Sequence, residues 1–421
     1  MSIDPARLQD LSGVLPDHAV QMAVDAGWLD GGDYTIPQSN IQPASVDLRL
    51  GPVAFRLRSS FLPGQRSVKS TLVEYQLGPS IDLRDGAVLE KNRPYLIPLI
   101  EGLRLPPWLR ARANPKSSIG RLDVFTRVLA DRSPGFDEIS AGYCGPLYLE
   151  VISRSFTIQV HEKLSLNQLR LIVGDARLND EDIRRVHERT PLLYTYGTAG
   201  VGRRAVPSPN LLVSNGLFLR VDLSGDDDRL MGYRAKKNSM LLNLSLTEHH
   251  RVEDFWDPLF AGRENRLILE PEEFYLLMSA EGVSIPPGLA GEMTAYDPTS
   301  GELRTHYAGF FDPGFGYAPE EGVMGSRAVL EVRAHDVPFS LEDNQKIARL
   351  EFEKMVDCPQ KLYGPQIGSS YQNQRLTPSK HFKSPSPQPP QQLDLLGDAP
   401  ATPPRRSPSR ARSQPSPGLG L

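Results

Sequence analysis

The sequence predicts a mainly β protein in which one antiparallel sandwich or barrel occurs twice. From about residue 41, short runs rich in Val, Leu, Ile, Tyr and Phe alternate with Pro, Gly, Asp and Asn, which is typical of short strands joined by turns. Motifs of the first half recur in the same order about 180 residues later. Patterns with helical spacing are short and lie near residues 5–30 and 179–189. These observations favour a duplicated β domain with short peripheral helices.

Local patterns predict the individual elements in chain order. Apolar residues between positions 5 and 30 are spaced for one or two short amphipathic helices, which Gly31-Gly32 ends. The predicted strands of the first half are Ser45–Leu50, Val53–Leu57, Tyr95–Leu99, Val124–Leu129, Leu147–Ile152, Phe156–Val160 and Leu169–Val173. A short charged helix is predicted over Asn179–Arg189, with Asp180-Glu181 in its first turn.

The internal repeat consists of four pairs of segments in the same order. The pairs are Glu101–Pro107 with Glu281–Pro287, Leu149–Val151 with Leu330–Val332, Pro115–Arg121 with Pro298–Arg304, and Val46–Leu48 with Val221–Leu223. The period is too long for the unit of a repeat solenoid. We interpret it as a duplicated domain.

The repeat and the composition together predict the domain boundaries. A first domain covers residues 1–175, a linker with a short helix covers 176–209, and a second, diverged domain covers 210–355. Residues 356–382 include a Gly- and Ser-rich stretch with two tyrosines, which fits either an arm that closes over a ligand or an inert linker. Pro, Ser, Gln and Arg dominate residues 383–421, and we predict that this tail is disordered.

Composition narrows the class of protein. The 421 residues are 39% hydrophobic and 23% charged with a net charge of -4, which fits a soluble globular protein and not a general nucleic-acid binder. The two cysteines, Cys144 and Cys358, are far apart, which argues against a disulfide framework and favours a reducing, cytoplasmic location. No apolar run approaches the roughly 18 residues of a membrane span, so no membrane partner is expected.

The segment Arg112–Arg121 is a candidate anion-binding turn. Two hydroxyls, Ser117 and Ser118, lie between the cationic side chains Lys116 and Arg121, and a glycine precedes Arg121. Such a turn can present backbone N–H groups, hydroxyls and positive charge to an anion. The alternative is a solvated loop between two strands, because short motifs of this kind often occur without a function.

Four separated segments resemble one known family. They are Ile41–Gly51, with the sequence IQPASVDLRLG, Lys116–Arg121, with the sequence KSSIGR, Gly142–Glu150, with the sequence GYCGPLYLE, and Tyr363–Ser379. In these segments the chain resembles the dCTP deaminases, a branch of the dUTPase-like trimeric β-barrels. The resemblance implies two tandem dUTPase-like distorted β-barrels with jelly-roll-like topology, the arrangement of a long duplicated form.

The resemblance implies a hydrolytic deamination of dCTP to dUTP and ammonia. Attack at C4 of cytosine needs an activated water, a proton for the leaving ammonia and stabilisation of the tetrahedral centre. The sequence lacks the His-x-Glu and Pro-Cys-x-x-Cys signature of zinc deaminases, so a carboxylate has to activate an uncoordinated water. The resemblance assigns this role to Glu150, with Ser117 and Arg121 positioning the water and polarising the ring. The alternative for Glu150 is an outward-facing residue of its strand.

The resemblance also implies how the nucleotide is held. It assigns Lys116 and Ser118 to the triphosphate, Ala130 and Asp131 to the edge of the base, and Tyr371 and Gln374 to the arm that closes on the ribose and phosphates. A Mg²⁺ ion is expected on the triphosphate, and no zinc and no metal held by protein residues alone. Ser370 stands where the family often has lysine, which leaves one phosphate contact unassigned.

The second half carries counterparts of some site residues. These are Ser300, Arg304, Asp312 and Glu331. Asp297 and Glu302 lie nearby, and their carboxylates would repel a triphosphate. We therefore expect the complete catalytic set in the first half and a degenerate or supporting set in the second. The alternative is a hybrid site, in which Asp312 of one half completes the site of Glu150 in another.

Two other functions remain open at this point. One is a dUTP diphosphatase, or an enzyme that carries out both steps; the other is a non-catalytic nucleotide-binding protein. Tyr371 replaces the stacking Phe of dUTPase arms, and the Leu-Glu strand is of the deaminase type, so the deaminase is favoured. The resemblance further implies a homotrimer, with dTTP as a candidate inhibitor. No specific nucleic-acid partner is expected.

Overall fold

The computed structural model describes residues 5–196, 203–226, 228–295, 303–305, 309–334, 336–372 and 376–383. The predicted tail, apart from Lys383, lies outside these ranges, as do the predicted site residues Ser300 and Gln374. Within them, no helix has the length and apolar character needed to cross a bilayer.

The first half consists mainly of antiparallel strands. They are β1 (Gly13–Val14), β2 (Leu29–Asp30), β3 (Val46–Arg49), β4 (Val53–Arg56), β5 (Ile81–Asp82), β6 (Ala87–Leu89), β7 (Pro94–Arg104), β8 (Leu109–Pro115), β9 (Val124–Ala130), β10 (Glu138–Ile139), β11 (Cys144–Ser153), β12 (Ile158–Val160) and β13 (Ser165–Val173). One sheet has the order β1-β13-β8-β10 with β3 also on β13, and another has the order β5-β4-β7-β11-β9 with β2 also on β7.

The second half repeats this plan. Its strands are β14 (Leu193–Thr195), β15 (Arg204–Ala205), β16 (Leu217–Asp222), β17 (Leu230–Ala235), β18 (Leu242–Asn243), β19 (Trp256–Phe260), β20 (Arg266–Leu269), β21 (Phe274–Val283), β22 (Leu289–Ala295), β23 (Leu303–Thr305), β24 (Phe310–Phe311), β25 (Tyr317–Ala318), β26 (Val323–Met324), β27 (Ser326–Ala334), β28 (Phe339–Glu342) and β29 (Lys346–Lys354). The pairs β21–β27 and β22–β29 correspond to β7–β11 and β8–β13. The predicted mainly β fold of two tandem barrel domains is confirmed.

The helices are short, as predicted, but the one at Ser117–Gly120 is largely buried and not peripheral. They are α1 (Asp17–Asp25), α2 (Val68–Tyr75), α3 (Ser117–Gly120), α4 (Asp180–Arg189) and α5 (Val252–Phe255), with 3-10 turns at Pro5–Asp10, Gln38–Asn40, Ser208–Asn210, Pro319–Glu321 and Pro365–Ile367. The predicted helix after residue 179 is α4, and Asn179 caps it by accepting a hydrogen bond from the backbone N–H of Asp182 at 2.9 Å. The sequence patterns did not predict α2, which Ser67 caps.

A buried ion pair occurs at the same place in both halves. The backbone N–H and Nε of Arg49 donate to the two carboxylate oxygens of Glu101, each at 2.6 Å. The corresponding bonds from Arg220 to Glu281 measure 3.0 and 2.5 Å. Because an unpaired buried carboxylate is costly, each arginine fixes the register of its strand. The duplication is therefore visible in side-chain chemistry as well as in topology.

The ion pair also corrects one predicted correspondence. Arg220 is the structural counterpart of Arg49, so Val46–Leu48 corresponds to Leu217–Leu219, and Phe218 occupies the place of Asp47. The predicted match with Val221–Leu223 was wrong by four residues. The chain from Arg220 to Glu281 is nine residues longer than that from Arg49 to Glu101, so the offset between the two halves is not constant and the shared letters were misleading.

The two halves share a hydrophobic core. Phe156 of the first half packs edge-on against Phe255 and Trp256 of the second, with ring centroids 5.6 and 5.3 Å apart. Phe382, from the end of the described chain, packs against Phe255 at 5.4 Å. Burying each large apolar side chain contributes about 1.5–3 kcal/mol, so this aromatic cluster fixes the second half and the arm against the first half.

Candidate functional site

The anion-binding motif forms a single helical turn. Lys116 follows strand β8, α3 spans Ser117–Gly120, and the carbonyl of Lys116 accepts from the N–H groups of Ile119 and Gly120 at 2.8 and 3.0 Å. Ser118, Gly120 and Arg121 are buried. The turn therefore belongs to the packed interior, which argues against the solvated-loop alternative.

Strand β27 of the second half brings Glu331 against this turn. Glu331 is only 4% exposed. A Cβ atom added to Gly120 would lie 2.5 Å from its Oε2 atom, so the glycine is what permits the carboxyl group to approach. A functional cluster thus forms between the first-half turn and a second-half strand of the same chain.

Burial sets the protonation of Glu331. It raises the pKa of the carboxyl group to about 8, and Asp123 adds to the shift while the cation of Arg121 opposes it. Its Oε2 atom has no hydrogen-bond partner among the described residues. A carboxyl group that titrates near neutral pH and has a free oxygen can both accept and donate a proton.

The arm closes over Arg121. The arginine is 4% exposed, its Nη1 donates to the carbonyl of Thr377 at 3.0 Å, and its guanidinium lies 3.6 Å from the ring centroid of Tyr371. The N–H of Tyr371 donates to the hydroxyl of Tyr363 at 3.1 Å, and its own hydroxyl accepts from the N–H of Lys380 at 3.2 Å. These contacts favour the closing-arm interpretation over the inert linker.

Two adjoining cavities lie at this junction. The outer one has a volume of about 290 Å³ and is polar, with Asp47, Lys116, Ser118, Asp312, Tyr371 and Lys380 in its wall. The inner one has a volume of about 40 Å³, with Ser117, Arg121, Phe311, Phe315, Ala328 and Glu331 in its wall. At roughly 10–15 Å³ for each water position, the inner cavity holds about three waters.

Asp312 lines both cavities and is held by an arginine of the first half. Arg170 is completely buried, and it donates to Asp312 Oδ1 at 3.4 Å and to the carbonyls of Gly291 and Phe311 at 3.0 Å. Burial raises the pKa of Asp312, and Arg170 opposes the shift. Sequence reasoning missed Arg170, although a charged residue inside the apolar run Leu169–Val173 was a signal.

The structure does not bring Glu150 into this cluster. Glu150 is 1% exposed, lines neither cavity, and accepts hydrogen bonds from Arg127, one of them from Nε at 2.9 Å. Arg127 is its direct neighbour across β9–β11, and the guanidinium stacks on Phe136 at 4.1 Å. Arg127 is therefore the partner of the carboxylate within its own half, and this ion pair accounts for the burial of Glu150.

Ala130 and Asp131 lie away from both cavities. Ala130 is buried in the β9–β11 pairing opposite Leu147. Asp131 Oδ1 accepts from the N–H of Val68 at 2.7 Å, at the start of α2, and the N–H of Asp131 donates to the hydroxyl of Tyr143 at 3.1 Å. In this arrangement both residues support the fold, and their contact with the edge of the base stays a prediction.

The predicted second-half counterparts divide into two groups. Asp312 and Glu331 line the inner cavity, whereas Ser300 lies outside the described residues. Arg304 pairs with Arg333 across β23–β27, in the register that Phe125 has with Ile152, so Arg304 is the counterpart of Phe125 and not of Arg121. Within the described ranges, no group of three or more His, Cys, Asp and Glu side chains is placed to hold a metal ion.

Comparisons with known proteins find matches to both halves of the chain. Family models for the N-terminal and C-terminal domains of 2'-deoxycytidine 5'-triphosphate deaminase match residues 11–175 and 179–382. The chain is similar to the crystal structure of 2'-deoxycytidine 5'-triphosphate deaminase from Agrobacterium tumefaciens, with 45% identity and a TM-score of 0.77, over 85% of this chain and 100% of that one.

Curated relatives match single halves. A "dCTP deaminase, dUMP-forming" from Dictyoglomus thermophilum is 30% identical over 146 residues, which are 33% of this chain and 68% of the relative. A protein of the same name from Corynebacterium jeikeium is 33% identical over 185 residues, 43% of this chain and 93% of the relative. The one from Mycolicibacterium gilvum is 33% identical over 122 residues, and the match spans only 60% of its length.

Proposed function

Because the chain belongs to the 2'-deoxycytidine 5'-triphosphate deaminase family, we propose that it converts dCTP to dUTP and ammonia at the composite site between its halves. The observation that carries this proposal is the Glu331 carboxyl group, which has a raised pKa and faces Ser117 and Arg121 across the inner cavity. We assign the general base to Glu331 in place of Glu150, because Arg127 pairs with Glu150 elsewhere in the fold.

Glu331 acts on a water in the inner cavity. Its carboxylate removes a proton as the water oxygen bonds to C4 of the cytosine and passes it to N3 of the ring, and the proton of the resulting C4 hydroxyl then moves through the same carboxyl group to N4. Breakage of the C4–N4 bond releases ammonia and leaves a carbonyl at C4. The small volume of the inner cavity supports this role, because it fits only a few waters.

Ser117 and Arg121 supply the polar contacts of the reaction. The hydroxyl of Ser117 orients the water by hydrogen bonding, and the fixed cation of Arg121 stabilises negative charge on the tetrahedral centre. Arg121 is buried and held by Thr377, so little reorganisation is needed when that charge develops. The pyrimidine is larger than the inner cavity, and we propose that Tyr371 moves with the arm to admit it.

The outer cavity accommodates the sugar and the triphosphate. Lys116 and Ser118 provide positive charge and a hydrogen-bonding group at its wall. We propose that Mg²⁺ enters as the dCTP complex, held by phosphate oxygens, and that Asp47, whose Oδ1 has no hydrogen-bond partner in the described chain, faces it. Zinc independence is part of the same proposal, since the chemistry is assigned to Glu331.

A second candidate function is dCTP deamination followed by hydrolysis of dUTP to dUMP. The names of the curated relatives favour it, because each is called dUMP-forming. The solved relative from Agrobacterium tumefaciens, which covers 85% of this chain, is called a dCTP deaminase without that addition, and its identity of 45% is higher than that of these curated relatives. We therefore propose dUTP as the product. The homotrimer and inhibition by dTTP stay predictions.

Product analysis tests this function directly. The purified chain is incubated with dCTP and Mg²⁺, ammonia is assayed, and the nucleotides are separated by chromatography. We expect dUTP in equal amount to ammonia. Release of dUMP and pyrophosphate together with ammonia would replace the proposal by the two-step reaction, and binding of dCTP without any ammonia would refute deamination.

A further inference from the structure

One cationic side chain in the wall of the outer cavity has no direct ion-pair partner among the described residues. Lys116 forms an ion pair with Asp47, and Asp312 forms an ion pair with the buried side chain of Arg170. Lys380, the remaining charged side chain in this wall, forms no side-chain hydrogen bond or ion pair among the described residues. A partly buried ammonium group without a counterion is costly, and it favours binding of an anion from solution.

The fold holds Lys380 at this cavity. Its N–H donates to the hydroxyl of Tyr371 at 3.2 Å, and its carbonyl accepts from the N–H of Glu248 at 2.9 Å. The hydroxyl of the preceding residue, Ser379, donates a hydrogen bond to the carbonyl of Ser118 at 2.8 Å. Because the backbone is fixed on both sides, Lys380 is held beside the serine turn and is not a freely moving surface lysine.

The local electrostatics also point to a missing anion. Burial lowers the pKa of Lys380, and the nearby Lys116 lowers it further, while Asp47 opposes the shift. Two lysines therefore converge on one cavity with a single carboxylate close to both. An oligophosphate would neutralise both cations, whereas a ligand with a single negative charge would not.

We propose that Lys380 binds a phosphate oxygen of the substrate triphosphate in the outer cavity. The inference rests on the proposed function, since it takes the ligand to be a nucleoside triphosphate. Lys116 and Lys380 then contact the phosphates from two sides, one from the serine turn and one from the arm. Closure of the arm then depends on the charge of the phosphate chain, because the backbone N–H of Lys380 also donates a hydrogen bond to the hydroxyl of Tyr371.

The test uses the variants K380Q, K380R and S370K/K380Q. Ser370 lines the same cavity and is exposed, so S370K returns a cation to the cavity from a neighbouring position. We expect K380Q to raise the KM for dCTP by about 10- to 100-fold with a much smaller change in kcat, the size of effect for a charged hydrogen bond. We expect K380R and S370K/K380Q to recover most of the affinity.

Binding of inorganic tripolyphosphate, followed by calorimetry, separates this inference from the proposed function. We expect wild type to bind it about 10- to 100-fold more tightly than K380Q, with K380Q at least as stable as wild type in thermal melting. Equal binding by wild type and K380Q would overturn the inference, whatever the activity. Lysine-dependent binding without turnover of dCTP would retain the phosphate site and refute the deaminase.

Discussion

The protonation of Glu331 decides the chemistry at the scale of single residues. The carboxyl group is protonated below its pKa of about 8, and only the deprotonated form can remove a proton from water. Arg121 opposes the shift that burial causes, so the carboxylate is still accessible near neutral pH. The same group is a good acid once it has received the proton, which suits the release of ammonia.

The pKa of Glu331 predicts a pH-dependent difference in stability between wild type and E331Q. The folded state raises this pKa from the usual 4.5, so the carboxyl group favours folding at low pH and this contribution is lost as the pH rises to about 8. Glutamine does not titrate. We therefore expect the melting temperature of E331Q, relative to wild type, to increase between about pH 5 and pH 9 by a few degrees.

Thermal melting of both proteins across this range checks the prediction. Other titrating groups are common to wild type and variant, so their effects cancel in the difference. A difference in melting temperature that stays constant from pH 5 to pH 9 would contradict the raised pKa of Glu331.

Individual residues also show where sequence reasoning succeeded. Ser117, Arg121, Tyr371 and Glu331 were all singled out from motifs, and the structure brings them together. Arg170 was missed because its partner Asp312 lies 142 positions later in the chain, and such a contact is invisible to local patterns.

At the scale of elements, the contact between α3 and β27 assembles the site. The predicted strands correspond closely to the observed ones; for example, Val124–Leu129 is found as Val124–Ala130. Alternation of apolar and polar residues fixes each strand locally. Packing between two elements leaves no such pattern in the sequence. The contact of Gly120 with Glu331 could therefore not be predicted from the sequence.

This contact predicts that G120A impairs catalysis. The backbone at Gly120 is helical and accepts alanine, but the new Cβ would lie 2.5 Å from Glu331 Oε2 and would displace the carboxyl group. We expect kcat to fall by about 10- to 100-fold, since a displacement of about 1 Å is enough for such losses. Steady-state kinetics with dCTP measure the change.

The matched control is G288A. A Cβ added there meets no atom within 4 Å, so this variant should behave as wild type in kinetics and melting. If G120A kept full activity, the close approach of the turn to Glu331 would have no catalytic meaning.

The missed helix α2 shows a second limit at this scale. Its residues Val68 and Leu72 pack in one cluster with Leu96, Leu129 and Tyr148, over the strands that flank Glu150. The segment carries no strong helical period, and its helical state depends on this packing. Helix α2 therefore packs over the same strands in which Arg127 pairs with Glu150.

At the scale of the whole molecule, the two halves contribute different residues to the proposed site. Glu150 and Glu331 occupy the same register, opposite Leu96 and Leu276, so the sequence gives no reason to choose between them except the neighbouring motifs. The choice is made by the shared core, which sets the serine turn of the first half against β27 of the second. The duplication was readable from the sequence, whereas this relative placement was not.

The composite site implies that one chain supplies the serine turn, the glutamate and the arm. Ser117 and Arg121 come from the first half, Glu331 and Asp312 from the second, and Tyr371 from the arm. Of the two arrangements considered from the sequence, the hybrid site therefore agrees better with the structure than a complete first-half site, with Glu331 in place of Glu150. We propose that neither half alone is active.

The most direct measurement is ammonia release from dCTP by E331Q and E150Q, each compared with wild type and each checked for an unchanged fold by thermal melting. Loss of a general base costs about 10²–10⁴ in rate, so E331Q should fall by this factor. E150Q should keep its activity within a few-fold, because Glu150 lines neither cavity. A folded E331Q with wild-type activity, or a folded E150Q without activity, would contradict the assignment of the chemistry to the composite site.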